Sequence, residues 1–167
     1  MRVVVTGAVE IGKSTVVQRV LKRLRRDGLH PGGVLTTVDR QNSKWVHDLS
    51  ARQRRLLGHQ WPNGDVDVGR YGLRSEAMAF ANEAIVQAQS ADFLIIDELG
   101  SLELKGQGFT AALEAIRHRG DRPSLLVIRQ KLLDEYAEIL GPFDFVFPVT
   151  ADNRDRLHHT LYEALTG

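Results

Sequence analysis

The sequence predicts an α/β fold, a mostly parallel sheet flanked by helices that carries a small antiparallel β insertion. Three observations point to it. Short apolar runs, RVVVT, ADFLIID, SLLVIR and FDFVFPV, alternate with segments of helical periodicity, and strands apolar on both faces belong to parallel sheets covered by crossover helices. The first run leads straight into a glycine-containing loop, TGAVEIGKST. From about residue 32 to 73 the texture changes to short β-like runs, GVLTTV, KWVHDL and VDVGRYGL, separated by turn residues.

The elements follow in order. Arg2 to Thr6 is a valine-rich strand. From Lys13 to Asp27, Val16, Val17, Val20, Leu21 and Leu24 recur at helical spacing. Lys22, Arg23, Arg25 and Arg26 before Gly28 suit a helix carboxyl end. Two or three antiparallel strands are expected in the insertion, with ARQRR, 51 to 55, as a solvated turn between them. Helical spacing returns over Ser75 to Gln89 and again around Phe109 to Ile116. A short helix is expected at KLLDEYAEI, and a last one after Asp152 with Leu157, Leu161 and Leu165 in register. Pro148 marks the final strand as an edge or a strand end.

At 167 residues, with no visible repeat or linker, the chain is expected to be one domain, 1–167. A net charge of +1 argues against a broad electrostatic footprint for nucleic acid or an anionic membrane. Cysteine is absent, which excludes disulfides, thiolate metal sites and a cysteine nucleophile. No apolar run is long enough to span a bilayer, and the amino-terminal segment lacks signal-peptide character. A cytoplasmic protein, monomeric by default, is expected.

Gly7-x-x-x-x-Gly12-Lys13-Ser14 is the pattern of a phosphate-binding loop. Its glycines let backbone N–H groups converge on a phosphate, and the helix amino terminus adds partial positive charge. Lys13 would reach the β- and γ-phosphates and Ser14 would place its hydroxyl on Mg²⁺. A valine strand before the loop and an amphipathic helix after it supply the required context. FLIIDELG is the second chemical element. Asp97, at the end of a buried strand, is placed to hold Mg²⁺, and two adjacent carboxylates, Asp97 and Glu98, are costly at a strand end unless a cation or a function is present. Glu98 is the candidate to position and deprotonate an attacking water.

VVVTGAVEIGKST, GGVLTTVDR, VGRYGL, FLIIDELGSLELKGQGF and PVTADNRDRL stand in the order found in the small P-loop nucleoside-triphosphatases first described from thermophiles, a family with a human cancer-related relative. The chain resembles that family from Arg2 to about Leu161, most specifically at Asp97 through Leu104, which is similar to the family's DEIGPMEL. The resemblance implies a RecA-like P-loop fold and Mg²⁺-dependent hydrolysis of several nucleoside triphosphates with loose base preference. It implies nucleotide contacts from Gly7, Ala8, Val9, Glu10, Ile11, Gly12, Lys13, Ser14 and Thr15, and from Asp97, Glu98, Gly100 and Glu103. Asp97 takes the metal role and Glu98 that of the base. For Glu103 a helix-cap or loop-ordering contact stands beside nucleotide contact. A phosphate-transferring kinase with the insertion as acceptor lid, and a nucleotide-controlled binding module, remain as alternatives. Asp97-x-x-Gly100 also imitates a GTPase switch, but the base-reading Asn-Lys-x-Asp motif is absent.

Glu10 stands where family loops, of the form GPPGVGKTT, carry a small residue. It is expected to face solvent, to pair with a nearby arginine such as Arg40 or Arg129, or to bridge to the nucleotide through a cation. A left-handed backbone there would disfavour Glu by about 1 kcal/mol or more. Arg129, just beyond SLLVI, and Arg40 are candidates to meet transition-state charge. Arg154 lies near the last strand end, and Asn153 and Arg154 are candidates for base contact. Trp45 or Trp61 could stack on a base or pack on its own sheet. His158 and His159, adjacent on a helix, point about 100° apart and do not make a metal site.

Overall fold

The computed structural model describes residues 1–60 and 64–167. Its strands are β1 (Arg2–Thr6), β2 (Pro31–Val38), β3 (Ser43–Asp48), β4 (Gln53–Gln60), β5 (Val66–Val68), β6 (Tyr71–Leu73), β7 (Phe93–Leu99), β8 (Ser124–Ile128) and β9 (Phe145–Pro148). The helices are α1 (Lys13–Arg26), α2 (Ser75–Gln87), α3 (Ser101–Leu104), α4 (Ala112–Arg117), α5 (Leu133–Leu140) and α6 (Leu157–Thr166). Among the described residues the strands form one nine-stranded sheet in the order β5-β6-β4-β3-β2-β7-β8-β1-β9. The pairs β2–β7, β7–β8, β8–β1 and β1–β9 are parallel. Strand β8 therefore separates the loop-bearing β1 from the acidic β7, the RecA-like arrangement expected.

Alternation along the central strands divides the core. Val3 and Val5 of β1, with Ile95 of β7, pack with Val16, Val17, Val20 and Leu24 of α1 and with Leu161 of α6. Val4, Leu94 and Ile96 face the other way, toward Ile85 of α2, Ile116 of α4 and Tyr136 of α5. Period 2 in the strands and period 3.6 in the helices thus cover both faces of the sheet, which is why these strands read as unbroken apolar runs. No described helix is long and apolar enough to cross a membrane.

Two expectations about the insertion are corrected. GVLTTV belongs to β2, which pairs in parallel with β7 and is part of the core, so the antiparallel additions begin at β3. Among the described residues they are four strands, β3 to β6. The unexpected one is β4: Gln53, Arg54 and Arg55 of ARQRR lie in it rather than in a turn. Their exposed positions removed the apolar alternation that would have marked a strand, while cross-strand pairing with His47 and Val46 supports them. Trp61, named above as a stacking candidate, lies outside the described residues. Trp45 packs on its own sheet, its indole donating to Asp39 at 2.9 Å and its ring lying 4.3 Å beneath the Arg54 guanidinium.

After β7 the chain turns into α3 under the control of Glu103. One carboxylate oxygen accepts from the Gly100 amide at 2.8 Å, the other from the Phe109 amide at 2.9 Å. The Tyr136 hydroxyl donates to the Gly100 carbonyl at 2.6 Å, so the turn is held from both sides. Glu103 is 7% exposed, and both of its oxygens are committed to backbone. Glu103→Ala should therefore leave two amides without their acceptor and destabilise the fold by about 2–3 kcal/mol. Urea unfolding checks this; a change within error of zero would exclude the role.

Candidate active site

Parallel pairing brings the carboxyl ends of β1, β7 and β8 to one edge of the sheet, where α/β sheets bind ligands. The loop from Gly7 to Gly12 leaves β1 there. Gly7 has φ 140°, and a Cβ on it would stand 2.9 Å from the Val149 carbonyl oxygen, so only glycine allows the last strand's loop to pack this closely. The loop ends at Gly12, φ 110°, the amino-terminal cap of α1. No side chain caps α1, and its first turn carries no acid. The amide N–H groups and positive dipole end of a 14-residue helix are thus left for an anion.

Lys13 is buried, and its ammonium donates to the carbonyls of Ala8 at 2.7 Å and Gly7 at 3.2 Å. Burial pulls its pKa below the ordinary lysine value, against the opposing pull of Glu98 and Asp97. Asp97 is wholly buried, and neither carboxylate oxygen has a hydrogen-bond partner of good geometry among the described residues. Desolvation raises its pKa to about 7; the Ser14 hydroxyl, close by, works in the opposite direction. An unpaired buried carboxylate facing a hydroxyl at a phosphate loop suits Mg²⁺, which takes one or two protein oxygens and completes its shell with water and substrate phosphates. The described residues contain no cluster of three acids or histidines for a metal, and such a site does not require one.

Glu98 is set by a break in the ladder: Asp97 pairs with Val127 and Leu99 with Ile128, leaving Glu98 between them without a partner on β8. Bulges re-aim side chains. Asp97 and Leu99 are buried, while Glu98 emerges at the edge, its side chain 20% exposed, and accepts from the Arg129 Nε at 2.6 Å. The candidate base and one candidate transition-state arginine are therefore bonded to each other.

A cleft of about 490 Å³ runs from the phosphate loop past Glu98 and Arg129 to the β5–β6 hairpin, with the end of β2 along one side. Val9, Glu10, Gly12, Lys13, Ser14 and Thr15 line it. Gly100 and Glu103 line an adjoining cavity of about 50 Å³ instead. Glu103 orders the turn, as one of its two expected roles, and its oxygens are not presented to the cleft. Arg40 is at an exposed turn tip between β2 and β3 and does not line the cleft. Asp39 orders that turn by accepting from the amides of Gln41 and Ser43, which leaves the next side chain in solvent. Asn153 is spent on its own loop, accepting from the Thr150 amide at 2.9 Å and donating to the Pro148 carbonyl at 2.8 Å. The aliphatic stem of Arg154 passes beside Gly12.

Glu10 does adopt the left-handed conformation, φ 61°. Its carboxylate pairs with Arg70 from the β5–β6 turn, and not with Arg40 or Arg129. Arg70 and Lys44 were missed from the sequence. Arg70 sits in VGRYGL, one of the runs that carried the family resemblance, and Lys44 shares a strand face with buried Val46 and Asp48, an unusual register for a lysine.

A profile of the NTPase family matches residues 2–162. The nucleoside-triphosphatase THEP1 of Methanopyrus kandleri is 31% identical over 96% of this chain and 93% of its own. The protein of the same name from Methanothermobacter thermautotrophicus is 31% identical over 99% and 96%. Among solved structures, THEP1 from Aquifex aeolicus superposes with a TM-score of 0.79 over 100% of both chains at 22% identity. The human cancer-related nucleoside triphosphatase gives 0.75 over 99% of this chain and 97% of its own at 23% identity.

Two outcomes test the site's electrostatics. A carboxyl whose folded pKa lies above its ordinary 3.8 holds its proton more tightly when folded, so the metal-free protein should lose stability as pH rises from about 4 to 7 and level off above. Asp97→Asn should remove that loss, raising the metal-free melting temperature at pH 8 by several degrees while abolishing any stabilisation by Mg²⁺ with nucleotide; an unchanged or lower melting temperature would contradict the buried charge. Glu10→Gly relieves backbone strain and removes both an exposed ion pair of small worth and a negative charge beside the phosphate site. ATP binding measured by calorimetry should tighten, and unchanged or weaker binding would exclude a braking role. Fold, loop and acidic strand agree with the profile along nearly the whole chain: this protein belongs to the NTPase family.

Proposed function

We propose that this chain hydrolyses nucleoside triphosphates to the diphosphate and phosphate in a Mg²⁺-dependent reaction with loose base preference. The observation that carries the reading is Glu98, turned out of β7 by the ladder break and held by Arg129 in the cleft that the phosphate loop lines. The loop amides, the α1 amino terminus and Lys13 hold the β- and γ-phosphates, Lys13 exchanging its bonds to the Gly7 and Ala8 carbonyls for phosphate oxygens. Ser14 and Asp97 would hold Mg²⁺, which when bound neutralises phosphate charge and orients the triphosphate.

Glu98 accepts a hydrogen bond from the attacking water and takes its proton as the water oxygen bonds to the γ-phosphorus. The bond from that phosphorus to the bridging oxygen breaks, and its electron pair leaves with the diphosphate. Arg129 fixes the direction in which Glu98 presents its free oxygen. Loose base preference is supported by the commitment of the Asn153 amide to its own loop, which leaves Arg154 as the remaining side chain of that pair for base contact. A general base and a phosphate-loop lysine are each worth orders of magnitude in rate. Phosphate release from ATP, GTP, CTP and UTP with Mg²⁺ and no other acceptor should fall by about 100-fold or more in Lys13→Ala and in Glu98→Gln. Tight nucleotide binding without release by the wild type would overturn the hydrolase reading in favour of a kinase or a binding module.

A further inference from the structure

Among the described residues, four basic side chains line the cleft: Lys13, Lys44, Arg70 and Arg129. Lys13 is bonded to loop carbonyls, Arg70 to Glu10 and Arg129 to Glu98. Lys44 is different. Among the described residues its ammonium has neither an ion pair nor a hydrogen bond, and its defined contact is the face of the Tyr71 ring, 5.6 Å from the centroid. It is half-buried on β3, opposite Val38 of β2 and Gly58 of β4, at the point where the β3–β4 register shifts. A partly desolvated ammonium without an anion is costly.

Its position defines what it faces. The main cleft and the small adjoining cavity share Thr36, Lys44, Val68, Glu98 and Arg129. Lys44 therefore stands at the junction occupied by the candidate base. Its charge also reaches Asp97, favouring the ionised carboxylate. Of the two cations at that junction, Arg129 is engaged by Glu98, which leaves Lys44 as the uncommitted positive charge.

We propose that Lys44 is a catalytic residue, a cation supplied by the β insertion that donates to a γ-phosphoryl oxygen and stabilises the charge of the transition state. The inference rests on the hydrolase reading. Lys44 transfers no proton: the water proton goes to Glu98, the new bond joins the water oxygen to the γ-phosphorus, and the broken bond leaves its electrons on the diphosphate. Lys13, inside the loop, also serves ground-state binding, whereas Lys44, on a separate strand, contributes chiefly as the γ-phosphoryl group moves away from the diphosphate. The insertion is then part of the catalytic apparatus and not only a cover.

Lys44→Met keeps the length of the stem and removes the charge; Lys44→Arg keeps the charge. Three readouts separate catalysis from structure: kcat for phosphate release at saturating ATP, the Kd for ADP, and the tightening of ADP binding when aluminium fluoride is added with Mg²⁺ to mimic the transferring group. Lys44→Met should lower kcat by about 100-fold or more, leave the Kd for ADP within about threefold, and lose the fluoride-dependent tightening. Lys44→Arg should recover much of both. Phosphate release by Lys44→Met within about threefold of the wild type would overturn the proposal. So would parallel losses in ADP affinity and melting temperature that Lys44→Arg also shows, which mark a structural lysine. An absence of release by the wild type, with ADP still bound, would overturn the hydrolase reading and this proposal with it, whereas release by wild type and Lys44→Met alike overturns this proposal alone.

Discussion

A buried carboxylate whose oxygens find no hydrogen-bond partner of good geometry among the described residues, Asp97, is the constraint around which this end of the molecule is arranged. Its burial follows from the sheet: β7 lies between β2 and β8 and has helices on both faces, so nothing at its end reaches water unless the strand is interrupted. The interruption comes one residue later and brings out Glu98 alone. Two adjacent acids thereby acquire opposite environments. One is dry; the other borders the cleft and is tied to Arg129. Divergent surroundings of this kind set the chemistry of two neighbouring carboxylates apart.

The same edge shows how much of the site depends on contacts between distant segments. Gly7 is squeezed against the Val149 carbonyl, Gly12 lies under the stem of Arg154, and Glu10 reaches Arg70 on the β5–β6 turn. The phosphate loop is thus flanked by the loop after β9 on one side and by the antiparallel insertion on the other. Because β3 and β4 continue the sheet through β2, the insertion is fixed to the core by backbone hydrogen bonds, and residues on it are held at defined distances from β7. A cation on that rigid extension costs less reorganisation than one on a mobile loop. Glu103 and Tyr136 do the equivalent for the turn after β7, gripping Gly100 from its two polar ends.

Strand and helix types in the core were legible because parallel strands and amphipathic helices leave strong periodic signals. The valine run of β1, the Leu157, Leu161 and Leu165 stripe of α6, and the edge position signalled by Pro148 all emerged where expected. β4 did not, because an outer strand with exposed polar residues, Gln53, Arg54 and Arg55, has no apolar alternation to display. The role of Glu103 was half legible: a helix-cap contact was one of two expectations, but only the folded turn commits both oxygens to backbone amides. Arg40 and Asn153 failed as cleft-facing groups for a common reason, since their turns are ordered by local side-chain-to-backbone bonds that no motif specifies.

By itself the sequence determined the class of sheet, the phosphate loop with Lys13 and Ser14, and the pair Asp97-Glu98, since each is written in consecutive residues whose spacing has a direct chemical meaning. Tertiary structure alone decided the partners: Arg129 for Glu98, Arg70 for Glu10, and Lys44 at the junction of the two cavities. These pairings span tens of residues and depend on strand order and on breaks in register. Local propensity does not encode such breaks; they arise from the way the described strands and helices pack across the sheet.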